Sequence, residues 1–428
     1  MTGLRNLLTV VGVAVCLLAA GYERRSNADT GQTQTSPASQ SRPTSQSRPS
    51  QLDLPADKPL AAYQNDLIDV AFGSAVMIPV DPHIYDRSRT QEAVVATCIK
   101  LDQPKRAMGY AARISDWRQG ACYADLAFYC VKHGHREDAQ KLIDLATPIA
   151  KAAGEDWQKD AIRVKIAKAQ VLLGQAAQAQ ESETNLENSE TGKVMAVRIS
   201  QGDDDSFDAQ MKALEPLLAA KQQIDIIRNG LESATQLFDR FYGDAGRREL
   251  VEKMIKDSWR PMPLPVRIDL LARLTEFALG HSDQAKAMEL AGEAQDIFEG
   301  ANWPLEYGMQ LSARLADLRF RAGDKDKAKQ DADAAAARYK SGRAGIVDIN
   351  RAGAIRPLAQ AYQAMGDTAG AMAVYRQAIE DGAENPNSRP RAMDLSATCC
   401  SMALCGFEPD ADLWSRIRQI QQGLGKPQ

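Results

Sequence analysis

The sequence predicts an all-α protein, a right-handed solenoid of stacked antiparallel helix hairpins, from three observations. First, a glycine followed five positions later by alanine recurs at Gly134, Gly174, Gly280, Gly323 and Gly366. Second, each of these glycines is flanked by runs whose apolar residues fall three and four positions apart, which is the periodicity of an amphipathic helix. Third, aromatic residues make up only 6% of the chain, which suits closely packed helices. Because one hairpin cannot bury its apolar face alone, the hairpins are expected to stack.

Residues 1–21 have the pattern of a secretory signal peptide. An apolar run from Leu7 to Ala20 follows Arg5, and small residues up to Gly21 offer a cleavage site. The run is shorter than the roughly 20 residues that span a bilayer, so no integral membrane span is expected after cleavage. The sequence therefore predicts an exported protein, periplasmic or secreted, that associates with the envelope. An uncleaved membrane anchor is the alternative.

Residues 22–59 are predicted to form a disordered linker. They are rich in Ser, Thr, Gln and Pro and contain the near-duplicate hexamers SQSRPT and SQSRPS. Few of these residues could enter a core, so the segment is expected to act as a tether.

Residues 60–428 are predicted to form the solenoid. In each unit the glycine would end the first helix in a left-handed conformation, the following Asp or Ser would cap the second helix, and the alanine would let two helices approach closely. Degenerate copies near Gly202 and Gly243 would fill the long gap between the second and third glycines, although residues 187–259 fit the repeat poorly. Asp102 would begin a first copy, and the helix from Asp412 to Gln422 would cap the C-terminal end.

The unit from Pro357 to Ala378 resembles a tetratricopeptide repeat. Tyr362, Ala371 and Tyr375 fall where that repeat places them around Gly366. The spacing of 40–43 residues between neighbouring units exceeds the 34 residues usual in that family, which indicates a long-period variant.

The resemblance implies a binding surface on the concave face that the first helices form. Carrying over the groove-facing positions gives Arg267, Gln310, Asp317, Phe320, Arg356, Gln360 and Gln363. Arg356 and Gln360 would hold a peptide carboxylate by charge-assisted and amide hydrogen bonds. The alternative for each of these residues is an ordinary solvated helix face.

No motif in the sequence indicates catalysis, a metal or a cofactor. His133 and His135 flank a repeat turn, but no cysteine or carboxylate spacing completes a zinc site. The run at residues 203–205 (DDD) lacks the alternating ligands of a calcium loop. No phosphate-binding loop is present. A formal net charge of −4 argues against a nucleic-acid partner.

Six cysteines remain after removal of the signal peptide, and export would allow them to oxidise. Cys98 and Cys130 each lie four residues before a repeat turn, so stacking of the hairpins would bring them together. They are the candidate disulfide, and free buried thiols are the alternative.

The sequence thus favours an exported, non-catalytic scaffold or adaptor that binds a protein or peptide partner. Two alternatives stay open. One is a purely structural helical spacer in an envelope assembly, and the other is a wall-active lytic enzyme, for which no catalytic glutamate stands out.

Overall fold

A computed structural model describes residues 52–184, 186, 188–202, 206–220 and 223–425. The predicted signal peptide, the predicted linker up to residue 51 and the run at residues 203–205 lie outside these ranges. The chain divides into two compact units between Leu52 and Asp53, and the second unit contains every element described below.

The described residues are all-α, with no strand among them, and the predicted all-α solenoid of helix hairpins is confirmed. The helices are α1 Ala62–Val76, α2 Ile84–Lys100, α3 Pro104–Ala111, α4 Arg118–Lys132, α5 Arg136–Ala152, α6 Asp156–Leu172, α7 Ala176–Glu183, α8 Asn188–Gln201, α9 Phe207–Leu218, α10 Ile224–Arg240, α11 Ala245–Ser258, α12 Leu264–Gly280, α13 Gln284–Glu299, α14 Leu305–Ala322, α15 Lys325–Gly342, α16 Asp348–Ala364, α17 Thr368–Ala383, α18 Ser388–Leu404 and α19 Ala411–Gly423.

The helices form two layers. The even-numbered helices from α2 to α18 contact one another in succession, and we call them the inner helices. Most of the odd-numbered helices from α3 to α17 pack on the inner helix that precedes them, and we call these the outer helices. The poorly matching residues 187–259 contribute helices to both layers.

The inner layer closes on itself, because α18 contacts α2. The two helices run in parallel, and Arg389 of α18 forms an ion pair with Asp86 of α2. Helix α1 lies on α18 and α2 as an outer helix, so the N-terminal helix completes the last hairpin. Two hydrogen bonds hold it there, from Gln64 Nε2 to the Ala403 carbonyl (2.9 Å) and from the Tyr63 hydroxyl to the Gly406 carbonyl (3.0 Å). The described helices therefore form a closed ring of hairpins.

The hairpin turns use a left-handed residue, as predicted for most units. Positive φ angles occur at Asp102, Gly134, Gly174, Ser282, Gly323, Gly366 and Gly406. The alanines five positions after Gly134, Gly174, Gly323 and Gly366 are all fully buried between helices. Asp324 and Asp367 accept hydrogen bonds from the N–H groups of Lys327 and Gly370, which confirms their predicted capping role.

The assignment of Gly280 to a turn was wrong by two residues. Gly280 is the last residue of α12, and Ser282 takes the left-handed conformation with φ 62°. The backbone N–H groups of Ser282 and Asp283 bond to Leu279 and Ala278, the same pattern that Gly366 and Asp367 make with Gln363 and Tyr362. Ala287, five residues after Ser282, is accordingly the buried alanine of this hairpin.

The chain segment before α1 is bound to the ring. Asp53 donates its N–H to the Asp138 carboxylate (3.0 Å), and Lys58 donates its own to the Asp102 carbonyl (2.9 Å). Leu54 is buried. Asp53, Leu54 and Lys58, which the prediction assigned to the linker, therefore contact the ring.

The thiols of Cys98 and Cys130 are free and buried. Burial is the main cause that raises the pKa of Cys98, and the Cys400 thiol of α18 adds to it, so Cys98 faces the closing helix. No helix in the described ranges is both long and apolar enough to cross a bilayer.

Candidate functional site

Five inner helices, α4, α6, α12, α14 and α16, carry a row of incompletely buried side chains. Each of these five helices packs against two inner neighbours and an outer helix, so this row faces the interior of the ring. The residues recur at spacings of three and four, and we call them the inner stripe. They are Asp125, Phe128 and Lys132 on α4, Lys165 and Lys168 on α6, Asp269, Arg273 and Glu276 on α12, Gln310, Arg314, Asp317 and Arg321 on α14, and Arg356, Gln360 and Gln363 on α16.

Ion pairs along the inner stripe join neighbouring inner helices. Lys165 of α6 lies 2.6 Å from the Asp125 carboxylate on α4 and 3.5 Å from that of Glu92 on α2. Arg314 of α14 pairs with Asp269 of α12. These pairs fix the register of adjacent hairpins.

The part of the stripe on α12 and α14, where three carboxylates alternate with three arginines, lies in a recess. The side chains of Asp269 and Asp317 remain 32% and 25% exposed. Burial nevertheless raises the pKa of both carboxyl groups, and also that of Glu276, against the opposing effect of nearby arginines such as Arg314. A carboxylate on an open helix face would be solvated and would not show this shift. The stripe is thus reachable by solvent and yet enclosed by protein.

The opposite half of the stripe is basic. The ammonium groups of Lys132 and Lys168 lie 4.9 and 5.2 Å from the centre of the Phe128 ring. Burial lowers the pKa of Lys168, and the charge of Lys165 lowers it further although Asp125 raises it. Among the described residues no carboxylate forms an ion pair with Lys168, so its charge is poorly compensated.

Five of the seven residues predicted to line the groove lie on the inner stripe. Gln310 Nε2 donates to the Gly353 carbonyl of the neighbouring helix at 3.4 Å, and Asp317 pairs with Arg321 at 3.5 Å. Gln360 is half-buried. Gln310 is thus placed beside α16, whereas Asp317 makes its ion pair within α14.

Arg356 and Gln363 carry polar atoms without partners. Arg356 Nη1 and Gln363 Oε1 are both buried, and among the described residues neither has a hydrogen-bond partner. The charge of Arg356 acts on Asp394 of α18, although burial remains the stronger effect there and raises the pKa of Asp394 to about 6. One unsatisfied donor and one unsatisfied acceptor therefore lie two turns apart on α16.

The structure does not bring Arg267 and Phe320 to the stripe. The guanidinium of Arg267 donates to the carbonyls of Met262 (3.0 Å) and Arg260 (2.7 Å), in the loop that precedes α12. Phe320 lies beside the stripe, with the Lys325 ammonium 5.5 Å from its ring centre.

Sequence reasoning found Asp317 and Arg356 but missed most of the other charged members of the stripe. Arg273, Arg314 and Lys168 were not assigned to it, although Arg314 lies three residues before Asp317 on the same helix face. The three- and four-residue spacing applied to every unit would have found them.

The described residues contain one acidic cluster with the spacing of a metal site, Glu252, Glu289 and Glu293 on two outer helices. Lys256 and Lys286 form ion pairs with these carboxylates at 2.6–2.8 Å. The lysine ammonium groups supply the compensating charge, so the cluster is an ion-pair network between α11 and α13.

No protein-family model matches the chain, and no curated protein matches its sequence. Among solved structures it is similar to a circular tandem repeat protein with novel repeat topology and enhanced subunit contact surfaces, at 13% identity and a TM-score of 0.30, over 85% of this chain and 94% of that one. A similarity this low carries no argument here. The hairpins themselves define the class, a helical repeat protein, and the likeness of residues 357–378 to a tetratricopeptide repeat stays a resemblance.

Proposed function

We propose that the protein is an exported, non-catalytic scaffold that binds a protein or peptide segment along the inner stripe. The observation that carries the proposal is the row of partly buried polar side chains on α12, α14 and α16, where Asp269 and Asp317 stay 32% and 25% exposed and Arg356 and Gln363 keep polar atoms without partners among the described residues. Burial also raises the pKa of Asp269, Glu276 and Asp317, in keeping with a recess. Sites that recognise peptides are recesses with a few polar groups in fixed positions.

The unpartnered atoms of α16 support a peptide as the ligand. Seven residues of helix separate Arg356 from Gln363, a rise of about 10 Å. Three residues of extended chain cover about the same distance. A bound segment could therefore accept a hydrogen bond from Arg356 and donate one to Gln363 from its own backbone, once the Arg356 side chain turns outward.

The test is selection from a random peptide library on the full chain, followed by affinity measurements on variants. The double substitution Arg356→Glu/Gln360→Ala should weaken the selected peptides at least tenfold. The matched control is Arg338→Glu/Gln330→Ala, which makes the same changes at exposed positions of outer helix α15. If the library yields no binder, or if both variants bind like the parent, the inner stripe is not the binding surface.

A further inference from the structure

Most of the exposed large apolar side chains of the described residues lie on one face of the ring. Nine such side chains are exposed, and eight of them lie in the connections that lead from an outer helix to the next inner helix or in the first turn of that inner helix. The eight, which we call the apolar rim, are Met77, Val80, Tyr85, Trp157, Ile224, Tyr307, Val347 and Ile349. The ninth, Leu250, lies on outer helix α11.

The rim lies on one face of the ring because of the connectivity. Alternating helices in a stacked array of hairpins run in opposite directions, so all inner helices begin at the same face. Tyr85, Trp157 and Tyr307 occupy the second or third position of α2, α6 and α14. The opposite face carries the hairpin turns, with polar residues such as His133, His281 and Asp367.

The spacing of the rim residues argues against a protein partner. Neighbouring packed helices lie about 8–10 Å apart, and the rim residues lie at the starts of α2, α6, α10 and α14 and of α16, the neighbour of α14. They thus form small groups spread around the whole face of the ring, whereas a stable protein interface needs a contiguous patch of about 800 Å² on each partner with an apolar centre. A fluid lipid surface accepts dispersed side chains, because its molecules rearrange around each one.

The residue types also fit a lipid surface. Tyrosine and tryptophan favour the level of the headgroups, where the ring is in contact with acyl chains and the polar atom meets water. The export expected from the apolar run at residues 7–20 would bring the chain to a membrane.

The charges of the rim select the type of lipid. An acidic residue lies next to most of the apolar ones, at Asp156, Asp225, Glu306 and Asp348. Asp156 forms an ion pair with Lys159 at 2.9 Å, but among the described residues the other three carboxylates form none. These three would be repelled by an anionic membrane and would tolerate zwitterionic headgroups.

We propose that the apolar rim docks this face of the ring onto a zwitterionic lipid surface, with Tyr85, Trp157 and Tyr307 at the level of the headgroups. Docking uses the face of the ring and leaves the inner stripe open. It therefore does not depend on what the inner stripe binds.

Tryptophan fluorescence tests the proposal on the full chain. The probe is phosphatidylcholine vesicles that carry a 5-doxyl acyl-chain quencher, compared with vesicles that lack it. All five tryptophans lie at position 117 or beyond, so residues 1–51 contribute no signal even if they insert. Trp157, which is 53% exposed, should be quenched about twofold, and the substitution Trp157→Phe should remove most of the quenching.

The docking variant keeps Trp157 as the reporter and changes Tyr85→Ser, Tyr307→Ser and Ile349→Ser. It should lose at least half of the quenching. The matched control is Leu250→Ser, because Leu250 and Tyr85 are equally exposed at 56%. The fluorescence of this control should be quenched as much as that of the parent. Replacing about a third of the lipid with phosphatidylglycerol should reduce quenching.

Four results would overturn the proposal. The first is an unquenched Trp157 in the parent, and the second is quenching in the docking variant equal to that in the parent. The third is stronger quenching on the anionic vesicles. The fourth is a dimer of the parent in sedimentation that the docking variant abolishes without any effect of vesicles, which would make the rim a contact between two copies of this chain.

Discussion

Gln64 donates a hydrogen bond from Nε2 to the carbonyl oxygen of Ala403 at 2.9 Å, across 339 residues of sequence. The contact places α1 in the position of an outer helix on α18. It turns an array of hairpins that would have two open ends into a ring. The proposed binding along the inner stripe depends on this closure, because closure encloses the stripe.

The two glycines Gly366 and Gly280 should respond in opposite ways to alanine. Gly366 has φ 78°, so Gly366→Ala should lower the free energy of unfolding by about 1–2 kcal/mol through backbone strain alone, since a Cβ there meets no other atom. Gly280 is helical with the same open space, so Gly280→Ala should be neutral or add up to about 1 kcal/mol. Urea denaturation of the two variants measures both changes. A larger loss of unfolding free energy for Gly280→Ala than for Gly366→Ala would indicate that Gly280, and not Ser282, takes the left-handed conformation of the turn.

The two inner-stripe lysines of α6 should also differ. Burial would lower the pKa of Lys165, but the carboxylates of Asp125 and Glu92 outweigh it and raise that pKa above its ordinary value. Lys165→Met should therefore cost about 1–3 kcal/mol of unfolding free energy. Lys168 has no such pairs, so Lys168→Met should leave the protein as stable or make it more stable by about 1 kcal/mol. Chemical denaturation of both variants at pH 7 measures the two changes in unfolding free energy. A loss for Lys168→Met equal to that for Lys165→Met would mean that Lys168 stabilises the fold.

Asp394 should make stability depend on pH. Its carboxyl pKa is about 6 in the folded protein because of burial, against an ordinary value of 3.8. A carboxyl group with a raised folded pKa destabilises the fold above that pKa, and the penalty is relieved as the pH falls from about 6 towards 3.8. At neutral pH the penalty reaches on the order of 3 kcal/mol. Asp394→Asn should therefore be more stable than the parent at pH 7, and the difference should shrink by pH 4. A difference that is the same at both values would show that burial does not control this group.

Local features of the fold could be predicted because short segments determine them. Gly366 permits a left-handed turn and Asp367 caps the next helix, and both effects act within five residues. The turn at Ser282 could not be found in this way, because nothing about a serine signals a φ of 62°. The turn was instead predicted at the nearby Gly280.

Closure of the ring could not be predicted, because it depends on which helices meet. The buried residues Leu67, Ile68 and Phe72 identify α1 as an amphipathic helix, but their spacing says nothing about its partner. The groove residues show the same limit. Asp317 and Gln310 were carried over from the repeat resemblance and lie on the inner stripe, whereas the loop carbonyls that hold Arg267 come from a segment whose path the sequence does not give.

The ion pair between Asp86 and Arg389 gives the most direct test of the closed ring. In an Arg389→Lys variant, a carbodiimide should couple the Asp86 carboxylate to the amine at position 389, and mass spectrometry should find the linked peptides in the monomer band. The positive control is Arg416→Lys, where Glu380 lies 2.8 Å from the present side chain on a neighbouring helix. A closed ring predicts both links within one chain. The closed ring would be contradicted if the control link formed without the link between positions 86 and 389. It would also be contradicted if the link between positions 86 and 389 occurred only in covalent dimers. Either result would contradict the shape of the inner stripe as well.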